Sequence, residues 1–149
     1  MRIRTRAAVA LTVALLAAAS LAVLAPAGPA VAFSSGGLFL DVQAEAPAHL
    51  VAGGASVDVP LEITCGGVRG TVDVYVTVTQ RVGKGIASGF GYEDFGCSGG
   101  GQDVTVRVRA DSAGKAFMRG NAVVDAEIFG CGTRVCGSET DSETVRLRR

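Results

Sequence analysis

The chain has one histidine, His49, in Ala46-Pro47-Ala48-His49-Leu50. A Ser-His-Asp or Cys-His relay would have to use it as its base. No Gly-x-Ser-x-Gly setting surrounds any serine, and that is the strained turn on which a hydrolase nucleophile is exposed. His49 therefore reads as a solvated residue of a connecting loop. The carboxylates give no better start. Glu93 and Asp94 are adjacent, so on a strand they leave opposite faces. Glycoside hydrolysis needs two carboxyl groups facing each other across one cleft. No catalytic residue, metal ligand or cofactor is predicted, and the chain is not expected to be an enzyme.

The cysteines carry covalent rather than catalytic chemistry. Cys65, Cys97, Cys131 and Cys136 make an even set, and in an exported chain an even set predicts two disulfides. Three pairings are possible. The preferred one joins Cys65 to Cys97 and Cys131 to Cys136. Chain entropy gives about 3.7 kcal/mol for the longer loop and about 2 kcal/mol for the shorter. A zinc site at Cys131-Gly132-Thr133-Arg134-Val135-Cys136 would need more nitrogen or sulfur ligands than one histidine supplies. Arg134 in that loop invites comparison with protease inhibitors, which present an extended segment to a trypsin-like site. Four residues between the cysteines are short for that purpose, and a clasp at a strand corner is the plainer reading.

One stretch is suited to recognition. Gly89-Phe90-Gly91-Tyr92-Glu93-Asp94-Phe95-Gly96-Cys97 gathers three aromatics and two acids in a chain with six Phe, two Tyr and no Trp. Aromatic side chains on a small, polar loop give large contact area at low entropic cost. The predicted binding residues are Phe90, Tyr92, Glu93, Asp94 and Phe95, on a loop. The competing expectation is that one or two of these rings cap the end of the core beside a disulfide, because a small domain needs its large residues inside.

The segments that must position these residues follow an N-terminal leader. Arg2, Arg4 and Arg6 precede a run of apolar and small residues from Ala7 to Leu24. Pro26 and Pro29 follow, then Ala30-Val31-Ala32. That order is the layout of a secretory signal peptide with cleavage after Ala32, Ala27 being a second possible site. The expected product is one secreted, extracellular domain, residues 33–149, not stably inserted in a membrane. Loss of the three arginines leaves 11 of the 14 basic residues against 14 acidic ones, a formal charge of −3. The one basic cluster is Arg146-Leu147-Arg148-Arg149. Nucleic acid is therefore not an expected partner, since phosphate binding needs clustered cations. The expected partner is an unidentified extracellular macromolecule or surface.

Strand periodicity dominates the rest. Val72, Val74, Val76 and Val78 fall on one face of a period-two ribbon, and Asp73, Tyr75, Thr77 and Thr79 on the other, which predicts a half-buried strand. Similar alternation predicts strands over 38–44, 57–65, 103–109 and 140–148. A short irregular strand is predicted over 86–92, and one bent at Gly120 over 116–129. Cys65 shares the inward face of Val57, Val59, Leu61 and Ile63. Pro60 lies on the outer face and cannot donate a ladder bond, which predicts an edge or a bulge there. Gly83-Lys84-Gly85 is a hairpin turn signal. Seven strands with glycine-rich turns and no helix after the leader predict an all-β, antiparallel, immunoglobulin-like sandwich with Greek-key connections.

The alanine-rich leader and the valine- and glycine-rich strands look like those of small secreted proteins of high-GC actinobacteria. Ile63-Thr64-Cys65-Gly66-Gly67, Val78-Thr79-Gln80 and Cys97-Ser98-Gly99-Gly100 resemble an uncharacterised actinobacterial immunoglobulin-like family. The Cys131-x4-Cys136 clasp is also similar to that of the neocarzinostatin-type apoproteins. That resemblance implies a secreted seven-stranded sandwich with two disulfides, and the alternative function of a small-molecule, chromophore-type carrier. The wider spacing of Cys65 and Cys97 departs from that family, so no chromophore contacts are transferred. Actinobacterial subtilisin inhibitors share the size and disulfide count, which makes a secreted protease inhibitor the other alternative. Their reactive loop has no counterpart here.

Overall fold

The computed structural model describes residues 37–149. The leader and its cleavage sites lie outside the described residues. Eight strands follow in order: β1 Phe39–Ala44, β2 Ala48–Val51, β3 Ser56–Gly66, β4 Thr71–Val82, β5 Gly85–Gly96, β6 Gly101–Ala110, β7 Gly120–Cys131 and β8 Cys136–Arg148. A single 3-10 turn, Ala52–Gly54, joins β2 to β3. The period-two patterns bury the faces they predict. Val72, Val74, Val76 and Val78 are fully buried, as are Val57, Val59, Leu61 and Ile63. Val106, Val108, Val124, Ile128 and Leu147 meet them in one core.

The sheet is mixed and closed, not wholly antiparallel. Hydrogen bonding runs β3–β2–β8–β7–β4–β5–β6 and returns from β6 to β3, closing seven strands, while β1 pairs with β3 in line with β2. β2 and β8 are parallel, joined through Ala48–Leu147 and His49–Arg148 alone. The other thin seam is β5–β6, joined through Gly89–Ala110 and Phe90–Arg109. Closure thus depends on two short contacts between long ladders. The first joins the start of β2 to the end of β8, and the second joins the middle of β5 to the end of β6, meetings that periodicity does not encode.

Pro60 corrects a second expectation. β3 is flanked on both sides, and Pro60 pairs with Thr105 of β6. Its carbonyl accepts the Glu45 N–H at 2.9 Å, so the same edge of that residue faces the break between β1 and β2. The ladder is already interrupted there, and a missing N–H orphans no partner. His49 also differs from its expected loop. It lies on β2, exposed and opposite Asp58.

β5 is the largest correction, a continuous twelve-residue strand where a short irregular strand and a loop were predicted. Its alternation is inverted. Ala87, Gly89 and Gly91 face inward, while Phe90 and Tyr92 face out. The inward glycines are required because β5 closes onto the β6 backbone. A Cβ on Gly91 would lie 2.7 Å from the Arg107 carbonyl oxygen, and one on Gly89 would run into the Arg109 carbonyl. Glycine in a strand marks such close backbone approaches. The predicted strand over 116–129 also begins later, at Gly120, leaving 111–119 as a loop.

Both disulfides pair as preferred. Cys65–Cys97 and Cys131–Cys136 have Cα separations of 5.9 and 3.9 Å. The second clasps opposing residues of the β7–β8 hairpin. Gly132 N–H donates to the Val135 carbonyl at 2.8 Å, so Arg134 sits in a tight turn, not on an extended segment.

Candidate functional site

Strand register lays out one broad outer face across β8, β7, β4 and β5. Residues directly opposite each other in an antiparallel ladder point to the same side. One row therefore reads Ser138, Phe129, Asp73, Asp94. The next reads Thr140, Glu127, Tyr75, Tyr92, and the third Ser142, Asp125, Thr77, Phe90. Aromatics and carboxylates that are scattered along the chain meet here on adjacent strands.

The rings form a contiguous cluster. Tyr75 lies 5.2 Å from Tyr92 and 6.2 Å from Phe90, centroid to centroid, with tilted planes. All three stay wet, with 36% of Tyr75, 53% of Phe90 and 47% of Tyr92 exposed. Burying such rings is worth about 1.5–3 kcal/mol each, and here that is left unrealised at three neighbouring positions. Phe129, 38% exposed, extends the patch on β7. Contiguous apolar surface of this kind marks contact sites.

Phe90 stands between two open grooves. One, of about 620 Å³, runs over Tyr75, Thr77, Asp125 and Ser142. The other, of about 680 Å³, passes Tyr92, Glu93, Arg107 and Arg109. The Arg107 guanidinium donates two hydrogen bonds to the Asp58 carboxylate there, at 2.7 and 2.8 Å. Those bonds hold the Asp58 carboxyl below its ordinary range, against the opposing effect of desolvation.

The Tyr92 hydroxyl donates to the Asp73 carboxylate at 2.7 Å. Removing the phenol proton would set two anions together, and Tyr92 is pushed up from 10.0 to about 12. The chain has two tyrosines, so a titration of the phenolate absorbance reads this face alone. One phenol is expected to ionise near pH 12, and Asp73→Asn to move it back toward 10. A folded-state value that is raised contributes stability present in full below pH 10 and lost as pH climbs through 12. An upper step that Asp73→Asn leaves in place would contradict the assignment.

The five binding residues expected from sequence divide between two sides. Phe90, Tyr92 and Asp94 share the outer face with Asp73 and Tyr75. Glu93, opposite the inward Val74, has the other phase and is exposed. Phe95 pairs with Val72 and packs, half-buried, against the core. Phe95 thus packs on the core, as the capping expectation has it for one ring, while Phe90 and Tyr92 stay exposed. Tyr75, Phe129, Asp125 and Glu127 were missed as site residues. Their outward phase was legible, but the neighbours that make them a cluster come from β5 and β8. Among the described residues no group of His, Cys, Asp and Glu is arranged to hold a metal ion.

No protein-family model matches the chain, and no curated protein matches it. Among solved structures it is similar to AggA, the major subunit of aggregative adherence fimbriae type I (AAF/I) from Escherichia coli. The two share 12% identity and a TM-score of 0.39, over 74% of this chain and 94% of that one. A likeness that distant carries no argument about what this chain does.

Proposed function

We propose that the protein is a secreted, non-enzymatic domain of immunoglobulin-like build that binds a macromolecule or surface through Tyr75, Phe90 and Tyr92. The observation that carries this reading is three adjacent rings held in water on a rigid sheet face. A binding surface on strands needs little ordering when its partner arrives, which is how rigid aromatic sites gain affinity. Secretion is supported by the leader pattern at 1–32 and by two disulfides, which persist in oxidising compartments. The sandwich reading is supported by the two thin seams, which divide the ring into β1/β2–β3–β6 and β8–β7–β4–β5. The tight turn at Arg134 weighs against the inhibitor alternative, and no observation favours the carrier.

The test is adsorption to the surface of the producing cells. The wild type is expected to sediment with them. The variant carrying Tyr75→Ala, Phe90→Ala and Tyr92→Ala is expected to bind about a hundredfold more weakly, since central aromatic contacts each contribute more than about 1 kcal/mol. Its circular dichroism and urea midpoint should be close to wild type, because no removed ring belongs to the core. Undiminished adsorption by a folded triple variant would refute the site.

A further inference from the structure

The chemistry around the rings names a partner class, an inference that rests on the aromatic face being the binding site. Asp73, Asp94, Asp125 and Glu127 lie on that face in the three rows that hold the rings. Within β8, β7, β4 and β5 those rows hold no lysine or arginine, and the third row continues past Phe90 to Arg109 of β6. Among the described residues the one ion pair is Arg107–Asp58, on other strands. Arg81 and Arg146 lie on the same face two rows beyond Thr77 and Ser142, so inside the three rows the four carboxylates meet one arginine, Arg109, at the edge beside Phe90. Like charges crowded on one sheet face repel one another, and a cationic partner would relieve that repulsion.

We infer that the face of β8, β7, β4 and β5 binds an extended, arginine- or lysine-bearing polypeptide segment. Rings and carboxylates recognise such side chains together. A guanidinium or ammonium is attracted to the ring face and pairs with the carboxylate beside it. The spacing suits an extended chain. Successive rows lie two residues apart along the strands, about 6.6–6.8 Å. Alternate side chains of an extended segment laid along the strands repeat at that same interval, so each row meets one cation. The Ser and Thr hydroxyls of β8 border the face with neutral hydrogen-bonding groups.

Tyrosine emission reads this site directly, because both tyrosines of the chain lie on the face and there is no tryptophan. The probe is the blocked peptide of four Arg-Ser repeats, titrated into the secreted protein. The reference probes are the Glu-Ser counterpart and cellohexaose, an uncharged glycan. The Arg-Ser peptide is expected to change tyrosine emission saturably, and the Glu-Ser peptide to leave it unchanged. Asp73 accepts the Tyr92 hydroxyl and Asp125 that of Ser142. The substitutions that spare these bonds are Asp94→Asn and Glu127→Gln. Together they are expected to weaken the peptide about tenfold, and Phe90→Ala to do the same. Glu62→Gln, at an exposed position of β3, should have no effect. Raising salt from about 50 to about 500 mM should also weaken binding, since exposed charges are screened.

No response to the Arg-Ser peptide at up to about 1 mM would overturn the inference. So would binding undiminished in the Asp94→Asn, Glu127→Gln variant. A response to cellohexaose alone would overturn the cationic partner while leaving the aromatic site standing. Emission that depends on protein concentration without any probe, and loses that dependence in Phe90→Ala, would mean that a second copy covers the face and would equally overturn it.

Discussion

Replacing Phe117 by alanine is expected to lower the free energy of unfolding by about 3–5 kcal/mol. Phe117 is the largest fully buried side chain, although it lies in the loop between β6 and β7. Two anchors hold it in the core. Its N–H donates to the Gly54 carbonyl at 2.9 Å. The next residue is gripped by Gln80, the one buried polar side chain among the described residues. Gln80 donates to the Met118 carbonyl and accepts the Met118 N–H, both at 2.8 Å. An amide on β4 thus substitutes for a neighbouring strand and pins the loop over the end of the core. With the loop pinned, the site cannot collapse around a missing ring, so the cavity persists and the cost falls high in the usual range. A urea midpoint that drops with an unchanged m-value is the expected observation. A shift below about 1 kcal/mol would mean that the loop does not cap the core.

The second large effect concerns Cys65–Cys97. Replacing both residues by alanine is expected to cost about 3.7 kcal/mol from the 32-residue separation. Cys65 is buried in the core and Cys97 packs against it, so lost packing adds to the lost cross-link. The bond ties the end of β3 to the segment just after β5, next to Phe95. Opening Cys131–Cys136, which spans five residues, is expected to cost about 2 kcal/mol. That clasp joins strands already paired along their whole length. Equilibrium denaturation of the two double variants gives the ranking. A larger loss from the hairpin clasp would show that strand pairing, not chain closure, sets the contribution of each bond.

The sequence was informative wherever one residue's phase along a strand decided its place. The valines of β4 and the Val57–Cys65 face of β3 went inward as their alternation required. The Gly83–Lys84 turn lies between β4 and β5 where its residue types put it. The aromatic stretch 89–97 was expected to be a loop, and its form was misread. Hydrophobic alternation identifies a strand only when the large residues face inward. In β5 the inward positions carry Ala and Gly because the β6 backbone occupies the space that side chains would fill, so the ordinary signal is reversed. Phe117 escaped for a related reason. A loop residue becomes core only when distant groups, Gly54 and Gln80, hold it there.

Alternation, turn residues and cysteine count by themselves determined an all-β chain, its inward faces and its cross-linking residues, because each depends on neighbours a few positions away. The tertiary structure alone decided the closed, mixed sheet, the plugging of its core by Phe117, and the acidic aromatic face. Ring closure rests on two residue pairs at each seam. The face draws Tyr75 from β4, Phe90 and Tyr92 from β5, and Glu127 from β7. Their adjacency is a matter of register between strands, and register is fixed by how whole strands pack and not by any local run of residues.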